Sequence, residues 1–254
     1  MIRWCSYCQK FLGEVVPLDN PMFTHGICRR CLEKLERGEP VVKDTEPVRA
    51  LMSRVLARAR EGDEAACTSL LAEASRLGLD PESVLVGMLQ PALYQAGLDW
   101  QEARMSVAAE HRFTSWCERV FALLPPRQLQ TPPVDLLILQ TPGNLHTVGP
   151  RFAAHVLALR GLSVEVVVPE VPFEEMFRLT QELRPRCVGL SCALASDVPL
   201  AARTLDRLRA RGETAFRSRY VLSGFAFRLG GGETQPELPP GIELALDLDF
   251  FGTA

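Results

Sequence analysis

Two cysteine pairs near the N-terminus of this 254-residue chain have the spacing of a metal site. Cys5-x-x-Cys8 and Cys28-x-x-Cys31 stand 19 residues apart. A Cys-x-x-Cys turn delivers two thiolates to one ion, and a second such turn completes a tetrahedron that suits zinc. Bound zinc would also supply the folding free energy that residues 1–38 are too few to find in a core of their own. The alternative is free thiols or two disulfides, the latter disfavoured in a reducing compartment. His25 lies three residues before Cys28 and could replace a cysteine. Four sulfurs already close the site, so His25 reads as a loop residue outside the ligand set. Cys67, Cys117, Cys187 and Cys192 lie in apolar stretches and read as buried reduced thiols. A second segment of interest is Gly143-Asn144-Leu145-His146-Thr147-Val148-Gly149-Pro150. It places a histidine between glycines, directly after a predicted strand.

The elements that must position these residues fall into three blocks. Proline-rich joints at 38–47 and 124–133 remove helix donors and separate residues 1–38, 46–124 and 132–254. The middle block has apolar residues at three- and four-residue spacing in Val48–Ala59, Glu64–Gly78, Pro81–Gly97 and Met105–Leu124, which predicts a four-helix bundle. Asp80-Pro81 should start a helix, and Gly78 and Gly97 should end two. The last block alternates apolar runs with helical stretches. Strands are predicted at Val134–Leu139, Leu162–Val168, Cys187–Cys192 and Tyr220–Phe227, with another at Ile242–Leu246. Helices are predicted at Pro150–Arg160, Phe173–Leu183 and Val198–Arg211. This alternation implies a doubly wound parallel sheet with ligands beyond the carboxyl ends of its strands. Gly230-Gly231-Gly232 reads as a loop. The fold class is therefore α/β plus all-α, with a small zinc-ribbon-like module in front.

The histidine segment resembles the cobalamin-binding flavodoxin-like domain. That family carries Asp-x-His-x-x-Gly in this loop, then Ser-x-Leu, then a Gly-Gly pair. Here Gly149 is followed by 41 residues and then Ser191-Cys192-Ala193, which is the family's spacing. Ser223-Gly224 falls one residue later than the Gly-Gly pair. The resemblance implies that His146 coordinates cobalt from below and that Asn144 orients its imidazole, since an amide oxygen can accept the ring proton. It implies that Gly149 lets the backbone pass close to the corrin. Ser191, Ala193, Ser223 and Gly224 would make room for the displaced nucleotide tail. Asn144 stands where the family has a carboxylate, Ala193 where it has leucine, and Ser223 where it has glycine. His155, on the next helix, reads as structural.

The bundle adds a second resemblance. Trp100 is followed ten residues later by Glu110-His111, and His111 precedes His146 by 35 residues. This is similar to the CarH-type cobalamin photoreceptors, whose tryptophan and Glu-His pair lie over the upper face of the corrin. The resemblance spans about residues 46–250. Two features depart from it: the cysteine block stands where that family has a helix-turn-helix, and Gln101 stands where it has a second cobalt-ligating histidine. Methyltransferase corrinoid subunits share the bundle and the histidine loop without the Trp and Glu-His combination.

Composition narrows the function classes. Net charge is −3 and 47% of residues are apolar, which gives no basic field for nucleic acid. Residues 1–38 carry six basic and four acidic side chains, weak support for direct DNA binding by that module. No apolar leader or spanning run is visible, which leads us to expect a cytoplasmic protein and no membrane partner. The leading expectation is a non-enzymatic cobalamin sensor, responsive to light, binding adenosylcobalamin or methylcobalamin plus zinc. It would signal, as in transcription regulation, to a protein partner or through a homo-oligomer. The alternatives are a corrinoid carrier subunit of a methyltransferase system and a zinc-containing interaction protein with a decayed cobalamin site.

Overall fold

A computed structural model describes residues 1–63, 65–124, 132–212, 218–228 and 237–253. The chain divides into two compact units, Met1–Pro126 and Arg127–Ala254.

The first unit opens with three short strands, β1 (Ile2–Cys5), β2 (Phe11–Glu14) and β3 (Phe23–Gly26). They form a sheet in the order β2-β1-β3, with β1 antiparallel to β2 and parallel to β3. Helix α1 (Arg29–Glu36) follows, and its N-cap is Cys28, whose sulfur accepts the Cys31 N–H. The second cysteine pair thus opens a helix, an element the spacing alone did not draw.

The helices that follow are α2 (Glu46–Glu61), α3 (Ala65–Arg76), α4 (Pro81–Val84), α5 (Gln90–Gln101) and α6 (Val107–Leu123). A π turn, Leu85–Leu89, joins α4 to α5 into one long helix, so the described residues form a four-helix bundle. Leu51, Leu85, Met88, Leu89, Phe113 and Trp116 are among its fully buried side chains. Asp80 caps α4 through the Ser83 N–H at 2.7 Å, as its sequence implies. Gly78 ends α3 at φ +73°. Gly97 does not end a helix, contrary to expectation: α5 runs on to Gln101, and the positive φ falls on Ala103. The buried Asp99 makes the stop, because its carbonyl accepts the N–H groups of Arg104 and Met105 at 2.7 and 3.0 Å. The π turn sits where Pro91 would otherwise press its ring on the Gly87 carbonyl, four residues back.

The second unit is a parallel sheet of β4 (Leu136–Gln140), β5 (Val164–Val167), β6 (Cys187–Ser191), β7 (Arg219–Ser223) and β8 (Ile242–Ala245). The strand order is β5-β4-β6-β7-β8. This is the flavodoxin-like order, whose switch point lies between β4 and β6. Alternation along β4 serves two cores. Leu137 and Leu139 join α8 (Phe173–Leu183) and α9 (Val198–Gly212) on one face. Leu136 and Ile138 meet α7 (Val148–Leu159) on the other. The strand expected over Tyr220–Phe227 stops at Ser223, because Gly224 takes φ +120° and a 3-10 turn follows at Phe225–Phe227. The glycine run at 230–232 and most of the second proline joint lie outside the described residues. Among the described residues, no helix is long and apolar enough to cross a membrane.

Candidate functional site

In the first unit, the sulfurs of Cys5, Cys8, Cys28 and Cys31 all lie within 4.8 Å of one another. A tetrahedral zinc with thiolates at about 2.3 Å needs sulfurs about 3.8 Å apart, so the cluster is near ligation geometry. Cys5, Cys28 and Cys31 are buried and Cys8 is exposed. Cys8 Sγ lies 3.6 Å from Cys28 Sγ, and the Cys28 N–H donates to Cys5 Sγ at 3.4 Å. Burial pulls the Cys5 thiol upward, but N–H donors from Cys28, Cys8 and Tyr7 prevail and bring it down to about 6. Burial pushes Cys31 and Cys8 up. A bound cation would reverse that push, because the thiolate form is the ligand. His25 lies outside this four-sulfur set. Burial also holds Cys187 and Cys192 up, at about 12 and about 11, and raises Cys117, as buried reduced thiols require.

In the second unit, the histidine loop leaves the carboxyl end of β4 at the switch point. Its geometry centres on Asn144, which is buried while Leu145 and His146 face solvent. Asn144 Oδ1 accepts two hydrogen bonds, from the His146 backbone N–H and from His146 Nδ1, each at 2.9 Å. An amide oxygen can only accept, so Nδ1 must carry the ring proton. His146 Nε2 is left with its lone pair, the form that ligates a metal. The amide thus sets the tautomer that the family's carboxylate would set, without its negative charge.

Three further side chains fix the loop, and the motif did not flag them. Gln140, at the last position of β4, donates from Nε2 to the Asn144 carbonyl. Thr141 donates its N–H and its hydroxyl to the Ser191 carbonyl at 3.1 and 2.7 Å. Glu170 accepts the Gly143 N–H. The available signal was a Gln-Thr pair closing an otherwise apolar strand.

The remaining landmarks lie on the same edge. Gln140, Ser191 and Ser223 pair in register across β4, β6 and β7. Ser191 is buried, and Ala193, Ser223 and Gly224 are half-buried. Gly224 does not leave open room, as its small size suggested. A Cβ there would lie 2.1 Å from the Cys192 carbonyl oxygen, so the missing side chain admits the neighbouring backbone. Gly149 is exposed and a Cβ there would meet nothing within 4 Å. His155 is buried on α7, in keeping with a structural role.

In the first unit, Trp100 is the penultimate residue of α5, with 45% of its surface exposed. His111 Nδ1 meets Glu110 Oε2 at 2.7 Å at the start of α6, where the His111 ring faces solvent and Glu110 is half-buried. Gln101 is also exposed.

Comparison with known proteins adds an independent observation for the helices. Residues 51–124 match the family model described as a B12 binding domain. The chain is 19% identical over 209 residues to trimethylamine corrinoid protein 1 of Methanosarcina mazei, covering 76% of this chain and 97% of that protein. Its structure resembles the monomethylamine corrinoid protein of Methanosarcina barkeri with a TM-score of 0.60 and 13% identity, covering 80% of this chain and 95% of the other. The bundle segment therefore matches a B12-binding family model, and the chain shares its fold with a corrinoid protein.

Proposed function

We propose that this chain binds a corrinoid through His146 and carries a methyl group between partner methyltransferases, without being a complete enzyme itself. The observation that carries this reading is the Asn144–His146 pair at the switch point of the sheet, which leaves one imidazole nitrogen free and facing solvent. The B12-binding match at 51–124 and the nearly end-to-end alignment with a corrinoid protein support it.

The residues present fit the cofactor. Asn144 Nδ2 and Gln140 Oε1 are buried at the base of the loop without a hydrogen-bond partner among the described residues. Such atoms suit a ligand rich in amide groups. His146 would hold the metal, Asn144 would keep the ring in the ligating tautomer, and Gln140 and Glu170 would hold the loop still. Cobalamin, when bound, supplies a cobalt centre that accepts and gives up a methyl group. The four-cysteine cluster would hold zinc in a closed, structural site, since all four positions are thiolates.

A light-responsive sensor is the second reading. It is favoured by the exposed Trp100 and by the Glu110–His111 contact, the residues that carry the resemblance to the photoreceptors. Absorption spectra and methyl exchange separate the two. The protein is loaded with methylcobalamin and mixed in the dark with a corrinoid methyltransferase and its methyl acceptor. Transfer supports the carrier. No transfer, with a light-driven change in spectrum and assembly on adenosylcobalamin, overturns the carrier in favour of the sensor.

A further inference from the structure

One aromatic side chain of the cysteine module is inserted into the bundle. Trp4 and Cys5 are neighbours on β1, so their side chains leave opposite faces of the strand. Cys5 turns to the sulfur cluster. Trp4 is only 3% exposed, and its ring fills the notch above Gly87, in the middle of the π turn. A Cβ on Gly87 would lie 2.4 and 2.8 Å from Trp4 Cζ2 and Cη2 and 3.3 Å from Phe11 Cδ2. Polar contacts flank the plug. Buried Gln90 donates to Glu14 Oε1 at 2.5 Å, and the Val48 N–H donates to Gln9 Oε1 at 2.9 Å.

We propose that the four-cysteine module is a metal-dependent clamp on the π turn, so that metal loading sets the rigidity of the helix that carries Trp100. The proposal rests on the reading that the four cysteines hold zinc. The physical chain is short. Strands of four residues hold β1 in place only while the metal closes the module. Without metal, β1 loosens, Trp4 leaves the notch, and the backbone around Gly87 is uncovered. A π turn is a poorly bonded stretch of helix, so an uncovered one opens more readily than its α-helical neighbours. The link passes from a metal site to the segment that matches the B12 binding domain through one aromatic ring.

Hydrogen exchange of the full chain, with zinc and after chelation, tests this, together with zinc content. In the native sequence, chelation should speed exchange at residues 85–92 about ten-fold while α3 keeps its protection. Trp4→Ala retains all four cysteines. It should keep one zinc yet show fast exchange at 85–92 already, with little further gain on chelation. Gly87→Ala, which evicts the ring from the other side, should reproduce this if Trp4→Ala does not fold. Loss of protection in residues 1–38 with 85–92 unchanged would overturn the clamp, as would equal loss across α3 and α6. A chain that takes up no zinc would overturn the metal reading itself, a result read from metal content before any exchange is measured.

Discussion

The cysteine cluster and the histidine loop solve opposite problems. The cluster would draw four ligands from two turns, with three of its four thiols buried. Its geometry is nearly complete within 31 residues of chain. The loop would offer one ligand, His146, which is exposed and hydrogen-bonded to a buried amide. A closed site stores folding energy, whereas an open one keeps coordination positions for chemistry. The difference teaches what each tolerates. The cluster should fail all at once when a ligand goes, while the loop should lose affinity by degrees.

Four substitutions test that contrast, the largest effect first. Cys5→Ser should release the metal and destabilise the first unit by on the order of 5 kcal/mol or more, read by urea unfolding and metal analysis. A mutant with full zinc content and an unchanged midpoint would break the contrast at its strongest point. His146→Ala should leave the fold intact and weaken cobalamin binding about a hundred-fold, with loss of the histidine-bound absorption features. An unchanged spectrum would move the ligand elsewhere. Asn144→Leu should cost about ten-fold in affinity, because nothing then holds the proton on Nδ1. Asn144→Asp should match or exceed the native affinity, and titration of both against hydroxocobalamin orders them.

The smallest effect is a baseline away from both sites. Arg219 and Glu243 pair across β7 and β8 at 2.8 Å, and the Arg219 guanidinium holds the Glu243 carboxyl below its ordinary value. Its stabilisation is present above the unfolded carboxylate range and disappears as pH falls through the lowered folded value. Both side chains are 43% exposed, so solvent screening limits the gain to about 0.5 kcal/mol. Glu243→Gln should therefore lower the unfolding midpoint slightly at pH 7, and the difference should shrink as acidification protonates the paired carboxyl.

Much of this arrangement was legible in the chain. The cysteine spacing is a local statement about turns, and local statements survive folding. Strands and helices of the second unit followed from apolar alternation, and the Asn144–His146 contact from the loop's resemblance to the cobalamin-binding domain. What escaped depended on contacts across the chain. Nothing near Trp4 announces Gly87, 83 residues away, and nothing near Gly87 announces a π turn except Pro91. Gly97 looked like a helix stop, but the carbonyl of buried Asp99 decided where the helix ends. The apolar run 220–227 concealed a backbone turn at Gly224, because hydrophobicity does not encode φ. The two relatives described above are corrinoid proteins, whereas the resemblance through Trp100 and Glu110-His111 rests on three residues of the chain.

Gln140, Ser191 and Ser223 stand on one rung of the parallel ladder. The 41-residue interval that made the motif recognisable is only the contour length of the path from Gly149, on the first turn of α7, round to Ser191 on that rung. An insertion in the turn between α7 and β5 would alter that interval and leave the rung intact. A slip of β6 by a single residue would barely change the intervals, yet it would turn Ser191 to the other face of the sheet and break the bonds from Thr141. Insertions and deletions along this stretch should accordingly be accepted at the outer turns, and the strand ends should accept none.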